Sequence, residues 1–184
     1  AIADYTQELA IDPDSPKAYY ERGLNYYTQG NYEQAINDYT QAIALDPDYV
    51  FAYHNRGLTY SRMGDNIQAI TDYTQAITLD PDFAIHYYNR GFAYYAQEDF
   101  DQAIADCTQA ITLEPDFAKA YNNRGLAYYA QGDFDQAIAD CTQAITLEPD
   151  FAKAYNNRGL AYYAQGDFDQ AIADCTQAIT LEPD

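Results

Sequence analysis

Apolar residues recur along this chain with the spacing of α-helices, in two alternating patterns. In the segment 118–131, Tyr121, Gly125 and Tyr128 fall within one arc of about 60° on a helical wheel. In the segment 134–147, the apolar residues share an arc about 120° wide, formed by Phe134, Ala137, Ile138, Cys141, Ala144 and Ile145. The first pattern predicts a helix with a narrow contact stripe. The second predicts an amphipathic helix with a polar back.

The pair of patterns returns every 34 residues, as the prolines show: Pro13, Pro47, Pro81, Pro115, Pro149 and Pro183. Residues 117–150 and 151–184 are identical in sequence. We therefore divide the chain into the second helix of an incomplete unit (1–15) and five units: repeat 1 (16–49), repeat 2 (50–83), repeat 3 (84–117), repeat 4 (118–151) and repeat 5 (152–184). Because the chain starts within a unit, we expect it to be part of a longer array.

The residues at the ends of the predicted helices are of types that cap or terminate a helix. Asp116 is a candidate N-cap, since its carboxylate can accept from free helical N–H groups. Gly132 suits the left-handed position after the first helix, and Pro149 cannot continue the second. Glu98 stands where the other repeats have Gly. If φ is positive there, the non-Gly residue costs about 1 kcal/mol, so we expect this turn to be the weakest.

The series Tyr121, Gly125, Tyr128, Ala137, Ala144 and Pro149 resembles the tetratricopeptide repeat (TPR), a helix–turn–helix unit of the same length. The resemblance covers the whole chain, with Tyr where the family usually has Trp. It implies an all-α fold, a right-handed α-solenoid or superhelix of antiparallel helix pairs. It also implies a non-catalytic scaffold that binds protein partners.

By this resemblance, one side of each first helix lines the inner surface of the solenoid. We call this side the groove face. It carries Leu, Phe and Tyr side chains, whose exposure usually marks a binding surface, although packing between repeats could cover them. The expected groove residues are Lys17, Tyr20, Leu24, Tyr27, Phe51, His54, Asn55, Leu58, Tyr88, Asn89, Phe92, Tyr95, Lys119, Asn122, Asn123, Leu126, Tyr129, Lys153, Asn156, Asn157, Leu160 and Tyr163.

An asparagine occupies the sixth position of four successive repeats: Asn55, Asn89, Asn123 and Asn157. A row of amides can hydrogen-bond the backbone of an extended peptide without reading its sequence, and the family offers an example of such a ladder. Alternatively, these amides satisfy polar groups between repeats. The family's dicarboxylate clamp is not carried over, because the fifth and ninth positions here hold Tyr, His, Asn, Leu and Phe.

The chain is strongly acidic, with 9 Lys and Arg against 29 Asp and Glu and a net charge of −20. This balance argues against nucleic acid and anionic membranes as partners. All the cations lie on predicted first helices, and most acids lie on second helices and turns. Arg at the seventh position and Asp at the twenty-third recur together. We expect a structural Arg–Asp bridge at the seam, with the alternative that Arg points into the groove.

Catalytic, metal and cofactor sites are not expected. Cys107, Cys141 and Cys175 share one position on the apolar stripe, which favours small core residues over disulfides or metal ligands. His54 and His86 are expected on different faces of different repeats, without a partner at triad or ligand spacing. The sequence thus predicts a protein that is not an enzyme and needs no cofactor.

Three functional hypotheses remain open. The first is a scaffold whose concave groove holds an extended peptide or a helix of a partner. The second is end-to-end self-assembly, with Ile2, Tyr5 and Leu9 as the uncovered edge. The third is the recruiting arm of a larger enzyme whose catalytic domain lies outside this chain. Without an apolar run of membrane length or a signal segment, we expect a cytoplasmic protein.

Overall fold

The computed structural model describes residues 1–182, so Pro183 and Asp184 of predicted repeat 5 lie outside the described residues. The described part contains eleven α-helices and no strand. They are α1 (Ile2–Ile11), α2 (Pro16–Thr28), α3 (Tyr32–Leu45), α4 (Val50–Arg62), α5 (Asn66–Leu79), α6 (Ala84–Ala96), α7 (Phe100–Leu113), α8 (Ala118–Gln131), α9 (Phe134–Leu147), α10 (Ala152–Gln165) and α11 (Phe168–Leu181).

Four of the second helices, α5, α7, α9 and α11, begin at aspartate caps. The carboxylate of Asp133 accepts from the backbone N–H of Gln136, and Asp65, Asp99 and Asp167 repeat this bond. The expectation that Asp116 caps α8 is wrong, because Phe117 is the N-cap and makes no side-chain cap bond. The backbone N–H groups at the start of α8 donate to backbone carbonyl groups instead. The N–H of Ala118 donates to the carbonyl of Asp116 at 2.9 Å, and that of Ala120 to Phe117 at 3.0 Å.

The turns after the first helices use left-handed residues, as the sequence predicts. Gly30, Gly64, Gly132 and Gly166 have φ between +77° and +85°. Glu98 adopts φ +62° at the equivalent point, and it is the one non-Gly residue with positive φ in the described chain. The expected backbone conformation is therefore confirmed at Glu98.

The chain forms two compact units, residues 1–93 and residues 94 onward. In the first, α1 to α5 pack in chain order, and α2 also contacts α4. In the second, α7 to α11 pack in chain order, and α8 also contacts α10. Repeats 1, 2, 4 and 5 are thus helix pairs that pack on neighbouring helices within their unit. This is the predicted all-α solenoid of antiparallel helix pairs.

Small residues let the two helices of a repeat approach closely. A methyl group on Gly23 would lie 2.8 Å from Cε1 of Tyr39, and one on Gly125 would lie 3.0 Å from the Cys141 sulfur. Cys107 and Cys141 are buried, and desolvation raises the pKa of both thiols to about 12. Both thiols are therefore protonated core groups at neutral pH, as the apolar stripe predicts.

Candidate protein-binding groove

Groove-face residues differ widely in exposure. Lys17, Phe51 and Phe92 are exposed in the first unit, with half of each Phe side chain in contact with solvent. The other predicted residues of that unit are half-buried: Tyr20, Leu24, Tyr27, His54, Asn55, Leu58, Tyr88 and Asn89. In the second unit, the exposed residues are Lys119, Lys153, Asn156, Leu160 and Tyr163. Asn122 is buried, and the half-buried ones are Tyr95, Asn123, Leu126, Tyr129 and Asn157.

The tyrosines near the end of the first helices rest on aromatic rings of the second helices. Tyr27 lies 5.7 Å from Tyr32 between ring centroids, and Tyr129 lies 5.6 Å from Phe134. Tyr95 and Tyr163 make the same contact with Phe100 and Phe168. These tilted and edge-on contacts hold the tyrosine rings in defined positions.

Two members of the asparagine row, Asn55 and Asn157, bond first helices of adjacent repeats, whereas the buried amide nitrogen of Asn123 has no hydrogen-bond partner in the described structure. The amide of Asn55 donates to the Tyr20 hydroxyl at 2.9 Å, and that of Asn157 donates to the Asn122 carbonyl at 2.8 Å. Polar contacts between repeats, the alternative left open by the sequence, are therefore present. Each amide nitrogen carries a second N–H, so a role in peptide binding is still chemically available.

Two histidines meet where the sequence analysis had placed them on different faces. Nδ1 of His54 on α4 lies 2.8 Å from Nδ1 of His86 on α6, so the expected separation is wrong. His86 takes a position that holds Ala in most repeats, and it is fully buried. His54 and His86 are 32 residues apart, close to one period, and this brings both to the seam between adjacent first helices.

The neighbouring bonds indicate the tautomers of the pair. The Asn89 amide lies 3.4 Å from Nε2 of His54, and with Nε2 as the acceptor, His54 carries its proton on Nδ1 and donates to His86. Nε2 of His86 is then a buried donor, and it has no hydrogen-bond partner in the described structure. Desolvation and the charge of His86 lower the pKa of His54 to about 4. Desolvation also lowers the pKa of His86, against the attraction of Asp80.

The recurring arginine forms the predicted bridge. Arg124 binds the Asp140 carboxylate through two N–H groups, at 2.7 and 2.8 Å. The same bidentate geometry occurs at Arg22–Asp38, Arg56–Asp72 and Arg158–Asp174. The alternative that these arginines point into the groove is therefore wrong for the four pairs.

Each arginine also binds the preceding repeat, a contact that the sequence analysis missed. Nη1 of Arg124 donates to the Thr108 hydroxyl at 3.0 Å, and Arg158 donates to Thr142 at the same distance. The guanidinium of Arg124 also lies 5.6 Å from the ring centroid of Tyr121. The available signal was a threonine recurring at one position of every second helix: Thr6, Thr40, Thr74, Thr108, Thr142 and Thr176.

The remaining features concern the predicted self-association edge, clusters of metal-ligating side chains and the length of the apolar helices. Leu9 is buried and Ile2 and Tyr5 are half-buried, so the expectation of an uncovered edge is wrong for Leu9, because α1 packs on α2. Within residues 1–182, no group of three or more His, Cys, Asp or Glu side chains could hold a metal ion. No helix in that range is long and apolar enough to cross a membrane.

Comparisons with known proteins connect this architecture to a family. Models described as TPR repeat and tetratricopeptide repeat match residues 23–64, 63–98, 84–117, 118–151 and 152–184. No curated protein matches the chain.

Solved structures resemble it over most of its length. MamA protein is 31% identical, with a TM-score of 0.82 and 91% of each chain covered. YrrB, a TPR protein with an unusual peptide-binding site, is 20% identical with a TM-score of 0.80, over 100% of this chain and 95% of its own. MamA from Desulfovibrio magneticus RS-1 is 20% identical with a TM-score of 0.84, over 91% and 94%. The chain belongs to the tetratricopeptide repeat family.

Proposed function

We propose that the groove face binds an extended, partly acidic segment of a partner protein. TPR proteins are protein-interaction scaffolds, and the groove face of this chain carries the groups that such binding needs. The observation that carries the proposal is the exposure of Phe51 and Phe92, at 50% and 49%, on the side of the first helices assigned to the groove. Large aromatic side chains left in water at this level favour a partner that covers them.

The first unit supplies an aromatic site for such a segment. Phe51 on α4 packs edge-on against Phe83, with ring centroids 6.5 Å apart and planes at 88°. Phe83 in turn contacts the buried His86 ring at 4.9 Å. The Phe51 ring therefore has a defined position before a ligand arrives, which lowers the ordering cost of binding.

The second unit supplies cations in a regular arrangement. Lys119 and Lys153 are exposed and take part in no ion pair within the described residues, unlike the arginines of the bridges. They stand at the same position of two identical repeats. An acidic side chain of the partner would find a free cation at each repeat, while the many acids of this chain repel a polyanion from elsewhere.

A selection experiment tests the proposal. Random peptides of twelve residues, displayed on phage, are selected against the chain, and the dissociation constants of enriched peptides are measured by fluorescence anisotropy. Replacing both Phe51 and Phe92 by Ala should weaken binding at least about tenfold, by loss of apolar contact area. Replacing Lys119 and Lys153 by Gln should remove the preference for acidic peptides.

The control is Ile67, an apolar residue on the second helix α5 that is 67% exposed, more than either Phe. Ile67→Ala should leave the dissociation constants unchanged. If the enriched peptides lose affinity with Ile67→Ala and not with the Phe51 and Phe92 variant, binding takes place outside the groove face. The proposal would then be wrong.

A further inference from the structure

Eight of the nine cations of this chain occupy two recurring positions, and Arg62 is the ninth. Arginine stands at the seventh position of all five repeats, and lysine stands at the second position of repeats 1, 4 and 5. Arg62 stands at the thirteenth position of repeat 2, where the other repeats have Thr or Ala. The periodic pattern therefore does not account for Arg62, and its surroundings indicate what its guanidinium can bind.

The Arg62 guanidinium, at the end of α4, is surrounded by tyrosines. It donates to the hydroxyl of Tyr27 on α2, and this hydrogen bond is the main cause that raises the pKa of Arg62. Tyr32 and Tyr73 raise this pKa further. Arg62 takes part in none of the ion pairs within residues 1–182, unlike the arginines of the bridges. Since a guanidinium has five N–H donors, most of them are available to an anion.

Arg62 is also the last member of a stripe of residues along α4. Four residues of this helix fall within one arc of about 60° on a helical wheel, and we call them the α4 stripe: Phe51, Asn55, Leu58 and Arg62. The two end residues are exposed, and the two middle residues are half-buried. The first three are groove-face residues, so the stripe lies on that face. It has an aromatic ring at one end and an available cation at the other.

The middle of the α4 stripe can bind a peptide backbone. Asn55 uses one amide N–H for the Tyr20 hydroxyl, at 2.9 Å. Its second N–H can donate to a backbone carbonyl of an extended segment, and its carbonyl oxygen can accept from a backbone N–H. These bonds are made without reading the sequence of the segment, so specificity has to come from the two ends of the stripe.

The length of the α4 stripe sets the spacing of the groups that it can bind. Phe51 and Arg62 are eleven residues apart, which corresponds to about 16 Å along the helix axis. The arginine side chain is the longer of the two and leans toward the N-terminal end of α4, which shortens this distance. In an extended segment, residues four apart are separated by about 13 Å and have their side chains on one face. An acidic and an apolar residue at that spacing can therefore reach both ends of the stripe.

We propose that the α4 stripe recognises a short motif of the partner, in which an acidic residue lies four positions from a large apolar residue. The acid binds Arg62, the apolar side chain covers Phe51, and the backbone between them bonds Asn55. This inference rests on the proposed function and adds a position-specific requirement to it. Lys119 and Lys153 act on the overall charge of a peptide, whereas Arg62 selects one acid at a fixed distance from an apolar residue.

Selections against matched variants test the motif. The library of displayed twelve-residue peptides is selected against the whole parent chain, Arg62→Gln and Arg62→Glu, and the enriched pools are sequenced. The parent pool should contain Asp or Glu four positions from a large apolar residue at least about threefold more often than the unselected library, in line with an exposed ion pair. Arg62→Gln should lose this acid and keep the apolar residue. Arg62→Glu should replace the acid by Lys or Arg at the same position.

Dissociation constants of one enriched motif peptide, measured by fluorescence anisotropy, test the contact itself. Arg62→Gln should weaken binding about threefold, and Gln in place of the peptide acid should weaken it equally. The two changes together should cost little more than either one alone, because both remove the same ion pair. The control is Lys17→Gln, which changes the net charge equally at an exposed cation on α2, outside the α4 stripe. It should leave the dissociation constant unchanged.

The possible failures of the motif and of the proposed function are distinguishable. Peptides could bind through Phe51 and Phe92 while their acids have no fixed spacing from an apolar residue, or a spacing that Arg62→Glu does not alter. The motif would then be wrong, and the groove proposal would stand. If no enriched peptide depends on Phe51 and Phe92, both proposals are wrong.

Discussion

The seam between α4 and α6 and the seam between α8 and α10 have equivalent positions and different chemistry. In the first, His54 meets His86 and Asn89. In the second, Asn122 accepts from Asn157. The position of His86 is occupied there by Ala154, which has no exposed surface. Both seams join the fifth position of one repeat to the sixth position of the next.

The comparison shows which part of a seam the fold fixes and which part it leaves variable. The offset of adjacent first helices is common to both, because the residues that meet are separated by 35 positions in each case. The side chains at that offset can be neutral amides or a buried ionisable pair. Of the two seams, only the histidine seam contains groups that can gain a positive charge as the pH falls.

The largest expected effect concerns the bridge that both regions share. Arg124→Leu removes the partner of Asp140, whose side chain is 8% exposed, and an unpaired buried carboxylate should cost about 3 kcal/mol. Arg56→Leu should cost about as much, because its bonds to Asp72 have nearly the same lengths, 2.7 and 2.8 Å. Urea denaturation followed by circular dichroism measures both losses.

Double variants test whether the unpaired aspartate carboxylate causes the loss of stability. Arg124→Leu with Asp140→Leu should recover most of the stability, since no buried charge is left. The same recovery is expected for Arg56→Leu with Asp72→Leu. If only one of the two double variants recovered its stability, the contribution of the bridge to stability would depend on the side chains of the neighbouring seam.

The second effect separates the two seams by pH. The pKa of His54 is lowered to about 4 in the folded chain, against 6.5 for an ordinary histidine. The unfolded chain therefore binds more protons below pH 6.5, and stability falls as the pH drops from there toward 4. The loss attributable to His54 is about 2 to 3 kcal/mol. It should level off below the folded pKa.

A variant with Asn at position 54 and Ala at position 86 gives this seam the residues of the second one. His54→Asn with His86→Ala should remove the histidine share of the acid sensitivity, leaving only that of the carboxylates. Chemical denaturation at pH 7 and pH 4.5 compares it with the parent chain. If the variant and the parent chain lost the same stability between pH 7 and pH 4.5, the buried histidine pair would not titrate as described.

The fold and the bridge were predictable because both are periodic. Proline, Gly and Ala recur every 34 residues, and Arg and Asp recur together, so one unit determines its neighbours. The histidine contact was not predictable from a helical wheel. A wheel gives directions within one helix, whereas the approach of His86 to His54 depends on the axial offset between two helices.

The exposure of the groove face was only partly predictable for a related reason. The wheel placed Asn122 and Asn156 on the same surface, but Asn122 is buried and Asn156 is exposed. Their sequence surroundings are identical over a whole repeat. The difference comes from α10, which packs against α8, whereas no later first helix packs against α10 within residues 1–182.

The smallest effect concerns the turn between α6 and α7, where Glu98 holds φ at +62°. Replacement of Glu98 by Gly should stabilise the chain by about 1 kcal/mol, because a side chain in the left-handed region is strained and glycine is not. The reverse change, Gly132→Glu at φ +83°, should cost a similar amount in the neighbouring repeat. No atom lies within 4 Å of a methyl group placed on Gly132, so backbone strain is the cause being tested. Thermal denaturation of the two variants should give shifts of opposite sign. A loss for Gly132→Glu without a gain for Glu98→Gly would show that contacts of the Glu98 side chain offset the strain of this turn.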